Sequence, residues 1–263
     1  MAEFEPKKIS VIIPTLQRDV TVLNNLIASF LRDDAVGEIL VIDNSTKGFN
    51  YNDNRVRVIV PQENMFVNPS WNYGVENSKY EYIALANDDI KIPDRLCTRV
   101  LEKITDEIGI IGMSSKNVID TRDKNGNAIL DISTIELNEA EEIKLEPTEF
   151  RTLSYGVLMF FKKTSYVEIP NELKIFFGDD WIIEQAKKLG KQNAVAAGAN
   201  IYHLGSLSSG EFTDFGRKEK KIFFKHLIPF HKRIFSIYKS YTHTTYFILF
   251  MSFAIRRKNA NSN

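Results

Sequence analysis

Between Ile9 and Met113 the sequence alternates strand-length runs of branched apolar residues with segments of helical period, an order that few folds accept. Lys7-Lys8-Ile9-Ser10-Val11-Ile12-Ile13-Pro14-Thr15 reads as a buried strand stopped by proline. Residues 19–32 then place Val22, Leu23, Leu26, Ile27 and Phe30 at helical spacing. Glu38-Ile39-Leu40-Val41-Ile42-Asp43-Asn44-Ser45 is a second strand, and residues 55–60 are a third. A helix is predicted over 68–78, with Pro69 in its first turn. Tyr82-Ile83-Ala84-Leu85-Ala86 is a fourth strand running into Asn87-Asp88-Asp89, and Asp94 is expected to cap a helix carrying Leu96, Val100 and Ile104. This pattern predicts an α/β fold with a mainly parallel central sheet flanked by helices. Ligands of such sheets bind beyond the carboxyl ends of the strands. Three strands end there in polar clusters: Pro14-Thr15, Asp43-Asn44-Ser45 and Asn87-Asp88-Asp89.

The second half is less regular. Residues 108–113 and 155–162 suit strands, residues 120–127 contain a turn signal, and the acidic stretch 136–149 suits a solvated loop or helix face. Phe176-Phe177-Gly178-Asp179-Asp180 leads into a helix through Trp181, Ile182, Ile183 and Ala186, which ends near Gly190. Asn193 to Ile201 is the last strand-like run, followed by Tyr202-His203. The expected division is a catalytic domain over 1–216 and a helical, basic and aromatic extension over 217–263.

Adjacent carboxylates at a strand end repel one another unless a cation compensates. Asn87-Asp88-Asp89 therefore reads either as a divalent-cation site or as a solvated turn with a helix cap. Mg²⁺ and Mn²⁺ take oxygen ligands and share phosphate oxygens, so a bound ion could neutralise a diphosphate leaving group. Asp43 could accept hydrogen bonds from a base or ribose, or simply make a turn. Asp179-Asp180 sits at a helix N-terminus, where the dipole favours negative charge. It could also supply a general base for an acceptor hydroxyl, with Phe177 and Trp181 stacking on an acceptor sugar. His203 is either structural or a nitrogen ligand to Mn²⁺. The chain has no G-x-x-x-x-G-K-[ST] loop, no G-x-G-x-x-G fingerprint and no G-x-S-x-G elbow.

Together these stretches resemble the family 2 glycosyltransferases of the GT-A fold. The resemblance is carried by Ile9–Thr15, Glu38–Ser45, Glu63-Asn64 through Asn72-Tyr73-Gly74, and Tyr80–Asp89. It implies inverting transfer from a nucleotide sugar, with a UDP-sugar favoured. Pro14, Thr15 and Arg18 would line the nucleotide pocket, Asp43 would contact the base or ribose, and Asn72 would lie near the donor. Asp89 would be the principal ligand of Mn²⁺ or Mg²⁺, with His203 as a further ligand and Asp88 near the donor ribose or sugar. Asp180 would be the base, with Asp179 able to exchange roles. The metal motif reads Asn-Asp-Asp where relatives carry a fuller Asp-x-Asp, and the base motif reads Asp-Asp where they carry Glu-Asp.

The net charge of zero conceals an asymmetry. From Arg217 onward eleven basic residues face one acid, Glu219, a charge of +10; the preceding 216 residues hold 23 basic and 33 acidic residues, a charge of −10. Interleaved aromatics from Phe223 to Phe250 make this tail suitable for an anionic membrane surface, or for a packed helix in a homo-oligomer. Nucleic acid is not an expected partner, since no recognition motif accompanies the charge. A single cysteine, Cys97, and an N-terminus without an apolar core predict a cytoplasmic protein, peripheral on the cytoplasmic membrane face. The expected acceptor is a saccharide or lipid-linked saccharide in cell-surface polysaccharide biosynthesis. Two other readings stand beside this one: a nucleotidyltransferase, which would release pyrophosphate, and a non-catalytic nucleotide-sugar-binding homologue.

Overall fold

The computed structural model describes residues 7–123, 126–132, 134–140, 142–205 and 213–227. By internal packing the chain forms two compact units, residues 1–219 and 220–263. Most of the aromatic tail, from residue 228 onward, lies outside the described residues.

The first unit is built on an eight-stranded sheet. Its strands are β1 (Ile9–Thr15), β2 (Val36–Asp43), β3 (Val56–Ile59), β4 (Tyr82–Ala86), β6 (Ile108–Met113), β8 (Lys144–Pro147), β9 (Leu158–Lys162) and β10 (Gln192–Ala197). Their order is β3-β2-β1-β4-β9-β6-β10-β8. Strands β3, β2, β1 and β4 run parallel, as do β6 and β10, while β9 and the edge strand β8 are antiparallel to their neighbours. A smaller sheet joins β5 (Ile90–Lys91), β11 (Ile201–His203) and β7 (Val118–Asp120), with β11 in the middle.

Helices α1 (Val20–Leu31), α2 (Val67–Asn77), α3 (Leu96–Leu101) and α4 (Gly178–Lys188) cover the large sheet, and α5 (Thr213–Leu227) follows. Asp19 caps α1 through a bond from the Val22 N–H at 3.0 Å. Fully buried Leu23, Ile27 and Phe30 of α1 join Ile9, Val11 and Ile13 of β1 in one core. Burying each such side chain contributes about 1.5–3 kcal/mol. On the other face α2 packs tightly on β1: a Cβ at Gly74 would lie 2.4 Å from the Ile12 side chain.

Three local expectations are corrected. Asp94 does not cap α3; the residue before the helix is Arg95, in the left-handed region (φ 60°), and Asp94 pairs with Arg32 at 2.8 Å. The acidic stretch 136–149 is not wholly loop or helix, because Lys144–Pro147 adds β8 beside β10. The run Asn193–Ile201 is not one strand. It breaks at Gly198 (φ 104°), where a Cβ would meet the Glu142 carbonyl oxygen at 2.6 Å, and the chain leaves the large sheet for the small one.

Candidate active site

The parallel strands deliver their carboxyl ends to one place. Register aligns Thr15 with Asp43, and pairing of β1 with β4 stops at Ile12–Leu85, just before Pro14. Proline has no N–H with which to continue a ladder. Beyond it the Thr15 hydroxyl donates to the Asp88 carboxylate at 2.5 Å. A cavity of about 460 Å³ opens over this contact. Pro14, Thr15, Arg18, Asn44, Asn87 and Asp88 line it together with Arg151, Gly156, Phe177, Asp179 and Asp180. Burial, aided by the charge of Asp89 and opposed by the Thr15 hydroxyl, pushes the Asp88 carboxyl up to about 6.

The other two acids of the cavity are held differently. Asp179 and Asp180 form the first turn of α4, entered through Phe177 in the left-handed region (φ 61°). Gly156 lets the Asp179 carboxylate lie close: a Cβ there would stand 2.7 Å from Asp179 Oδ2. Arg151 Nε reaches both acids, at 3.4 Å from Asp179 and 3.3 Å from Asp180. Burial pushes Asp179 up to about 6, with Asp180 adding to the shift and Arg151 opposing it.

His203 lies between two carboxylates. Its Nδ1 is 2.8 Å from Asp120 and its Nε2 is 3.4 Å from Asp89. Burial alone would lower its pKa, but the two carboxylates outweigh this and raise it to about 9. Asp89 Oδ1 is buried and makes no hydrogen bond.

Several expected residues do not line this cavity, Asp89 and His203 among them. Asp43 is fully buried, and its oxygens accept from Ser45 N–H and hydroxyl and from Gly48 N–H at 2.5–3.0 Å, so it shapes the loop after β2. The neighbouring Asn44 faces the cavity instead. Asn72 donates to the Ile169 carbonyl and accepts from Tyr166 and the Ile169 N–H, holding a remote loop. Trp181 is buried, with its indole N–H on the Glu168 carbonyl; it is Trp71 that lines the cavity.

Sequence reasoning also missed Arg151, Asp120 and Glu219. Glu219 of α5 is buried, and its carboxylate accepts the N–H groups of Lys174 (2.8 Å), Ile175 (3.2 Å) and Phe176 (2.7 Å). Ile175 and Phe176 are cavity wall. Glu219 is the only acid in a basic segment, and that isolation was its one sequence signal.

The profile of glycosyl transferase family 2 matches residues 10–164, more than half of the chain, ending just beyond β9. The chain belongs to glycosyl transferase family 2. The matched region contributes Thr15, Asp88 and Arg151 to the cavity, whereas Asp179 and Asp180 lie beyond it. Among solved structures, GalNAc-T7, crystallised with UDP, GalNAc and Mn²⁺, aligns with a TM-score of 0.57 at 13% identity, covering 76% of this chain and 44% of that one. TarS 1–349 from S. aureus in complex with UDP aligns with a TM-score of 0.48 at 16% identity, covering 74% of this chain and 60% of that one. The likeness to GalNAc-T7 is one of fold, of the GT-A type. This family 2 chain spans less than two thirds of either relative. No curated protein matches it by sequence.

Among the described residues no group of three or more His, Cys, Asp or Glu side chains is gathered around one metal position. Asp89 and His203 nonetheless fit a divalent ion that completes its shell with ligand oxygens. A buried carboxylate oxygen without a hydrogen bond faces an imidazole nitrogen, and small divalent cations keep few protein ligands beside phosphate and water.

Proposed function

We propose that this chain transfers a sugar from a nucleoside-diphosphate-sugar, a UDP-sugar being favoured, to a hydroxyl of a saccharide or lipid-linked saccharide, with inversion. The observation that carries this reading is one cavity bordered by Asp88 together with Asp179 and Asp180. Asp88, hydrogen-bonded to Thr15, follows the end of β4, and Asp179 and Asp180 come from the first turn of α4. Family membership supports the same assignment, as do the UDP and Mn²⁺ in the GalNAc-T7 crystal.

Pro14, Thr15, Arg18 and Asn44 would line the nucleotide, and Asp88 would approach the ribose or sugar. Asp89 and His203 would hold Mn²⁺ or Mg²⁺, which when bound would supply charge neutralisation of the diphosphate. Asp180 would take the proton of the acceptor hydroxyl as its oxygen bonds to the anomeric carbon. The bond from that carbon to the diphosphate oxygen breaks, and nucleoside diphosphate leaves. Asp179 could exchange roles with Asp180. Arg151 would have to release the base, or stay as its partner, when acceptor arrives. Phe177 would provide an acceptor-facing surface.

The lipid-linked form of the acceptor draws support from the cavity rim. Phe150 and Leu153, 73% and 80% exposed, flank Arg151. On α5, Arg217, Lys218, Lys220, Lys221 and Lys225 are exposed, as a helix on an anionic membrane requires. Among the described residues no helix is long and apolar enough to cross a membrane.

Calorimetry of UDP-sugars with Mn²⁺ tests the donor site. Asp89→Ala should abolish metal-dependent binding, and unchanged binding would remove the assignment. Asp180→Asn should bind donor normally and fail to transfer; wild-type transfer by this variant, with loss in Asp179→Asn, would move the base to Asp179. Release of pyrophosphate in place of nucleoside diphosphate would favour nucleotidyl transfer. Co-sedimentation with phosphatidylserine vesicles, compared with a chain ending at residue 227 and with one in which Lys218, Lys220, Lys221 and Lys225 are replaced by Gln, tests the membrane role of the tail; equal sedimentation of all three would remove it.

A further inference from the structure

We propose that Asp120 is a positioning residue that fixes His203 as a ligand to the divalent cation; this rests on the metal site proposed above. The small sheet carries the argument. Strand β11 is its middle strand, and His203 pairs with Asp120 of parallel β7 on one side and with Ile90 of antiparallel β5 on the other. Asp89 immediately precedes Ile90, so the register sets the imidazole between two carboxylates. Backbone bonds lock this placement: Leu204 N–H donates to the Asp89 carbonyl at 2.9 Å, and Thr121 N–H donates to the His203 carbonyl at 2.8 Å.

The two contacts of the ring are unequal. Nδ1 lies at full hydrogen-bond distance, 2.8 Å, from Asp120, whereas Nε2 stands 3.4 Å from Asp89. A ring that donates Nδ1–H to a carboxylate presents its Nε2 lone pair. Nε2 faces Asp89 Oδ1 at 3.4 Å, and that buried oxygen has no closer hydrogen-bond partner. A divalent cation would take the place of the proton that Nε2 otherwise holds toward Asp89. Carboxylates that orient ligating histidines in this way fix the tautomer and ring angle and raise ligand basicity. Asp120 is itself 59% exposed, so it can be replaced without opening the core.

The test is Mn²⁺ titration of the full chain in the presence of UDP, followed by electron paramagnetic resonance of free Mn²⁺, with metal-free thermal unfolding alongside. Asp120→Ala should weaken Mn²⁺ binding about 10–100-fold. Asp120→Asn, whose amide oxygen still accepts from Nδ1, should weaken it less, and both should unfold within a few degrees of wild type without metal. Mn²⁺ affinity of Asp120→Ala within twofold of wild type, while His203→Ala binds weakly, would overturn the role of Asp120 and leave the metal site standing. Equal Mn²⁺ binding by wild type and His203→Ala, or none by wild type, would overturn the site and this inference together.

Discussion

Glu219, on α5, accepts the backbone N–H of Phe176, in the cavity wall, at 2.7 Å. It does the same for the two residues before Phe176, so one buried side chain satisfies three consecutive donors. The start of α5 is therefore part of the cavity's structure. The ring of Phe215, one helical turn earlier, lies 5.6 Å from that of Phe66, another wall residue.

Glu219→Ala should cost about 1–3 kcal/mol in urea unfolding, because buried donors lose their acceptor. Hydrogen exchange at the amides of Lys174, Ile175 and Phe176 should accelerate more than elsewhere in the unit. A chain ending at residue 216 should behave like this variant, and one ending at residue 227 like wild type. Unaltered exchange at these three amides would refute the role of Glu219.

Asp179 makes stability fall as pH rises. Its carboxyl titrates near 6 in the folded chain, against 3.8 as the ordinary value. Between those values the folded state holds the proton that the unfolded state has released, so stability is lost as pH rises through this window. Asp179→Asn should raise Tm at pH 7.5 and flatten the slope of Tm between pH 4 and 6. A Tm of the variant below that of wild type at pH 7.5 would contradict the buried charge.

Arg151 opposes the shift at Asp179. Removing the guanidinium in Arg151→Ala should move the midpoint of Asp179 further up. Carboxyl titration by NMR, with selectively labelled aspartate, would detect the change. The same variant should lower the Tm at pH 7.5 by more than at pH 4.5, since two charged acids then face each other without a cation.

Gly178 opens α4 against α2. An added Cβ would lie 2.1 Å from Asn68 Oδ1, and Asn68 is fully buried with its amide on the Phe176 carbonyl. Gly178→Ala should therefore destabilise by about 1–3 kcal/mol, the usual cost of overpacking. Because the helix start must shift, transfer activity should fall while Mn²⁺-dependent UDP binding remains. Wild-type Tm and activity would show that α2 yields without cost.

Local sequence determined much of this molecule. β1, β2 and β4 are contiguous apolar runs with polar stops, and a parallel sheet sends such stops to one edge. Thr15 and Asp88 were legible for that reason, and the Asp179-Asp180 pair from its place at the start of a helix. Only tertiary structure decided which side chain at each stop meets the cavity. Asp43 and Asn44 are neighbours with similar turn preference; the loop to Gly48 takes the first, and the second faces inward. Trp71 and Trp181 are equally apolar, yet the Glu168 carbonyl captures one and the cavity borders the other. Arg151, Asp120 and Glu219 act on partners 28 to 83 positions away in sequence, at Asp179, His203 and Lys174 among others. Contacts of that range follow from strand register and helix docking, which leave no periodic mark in the chain.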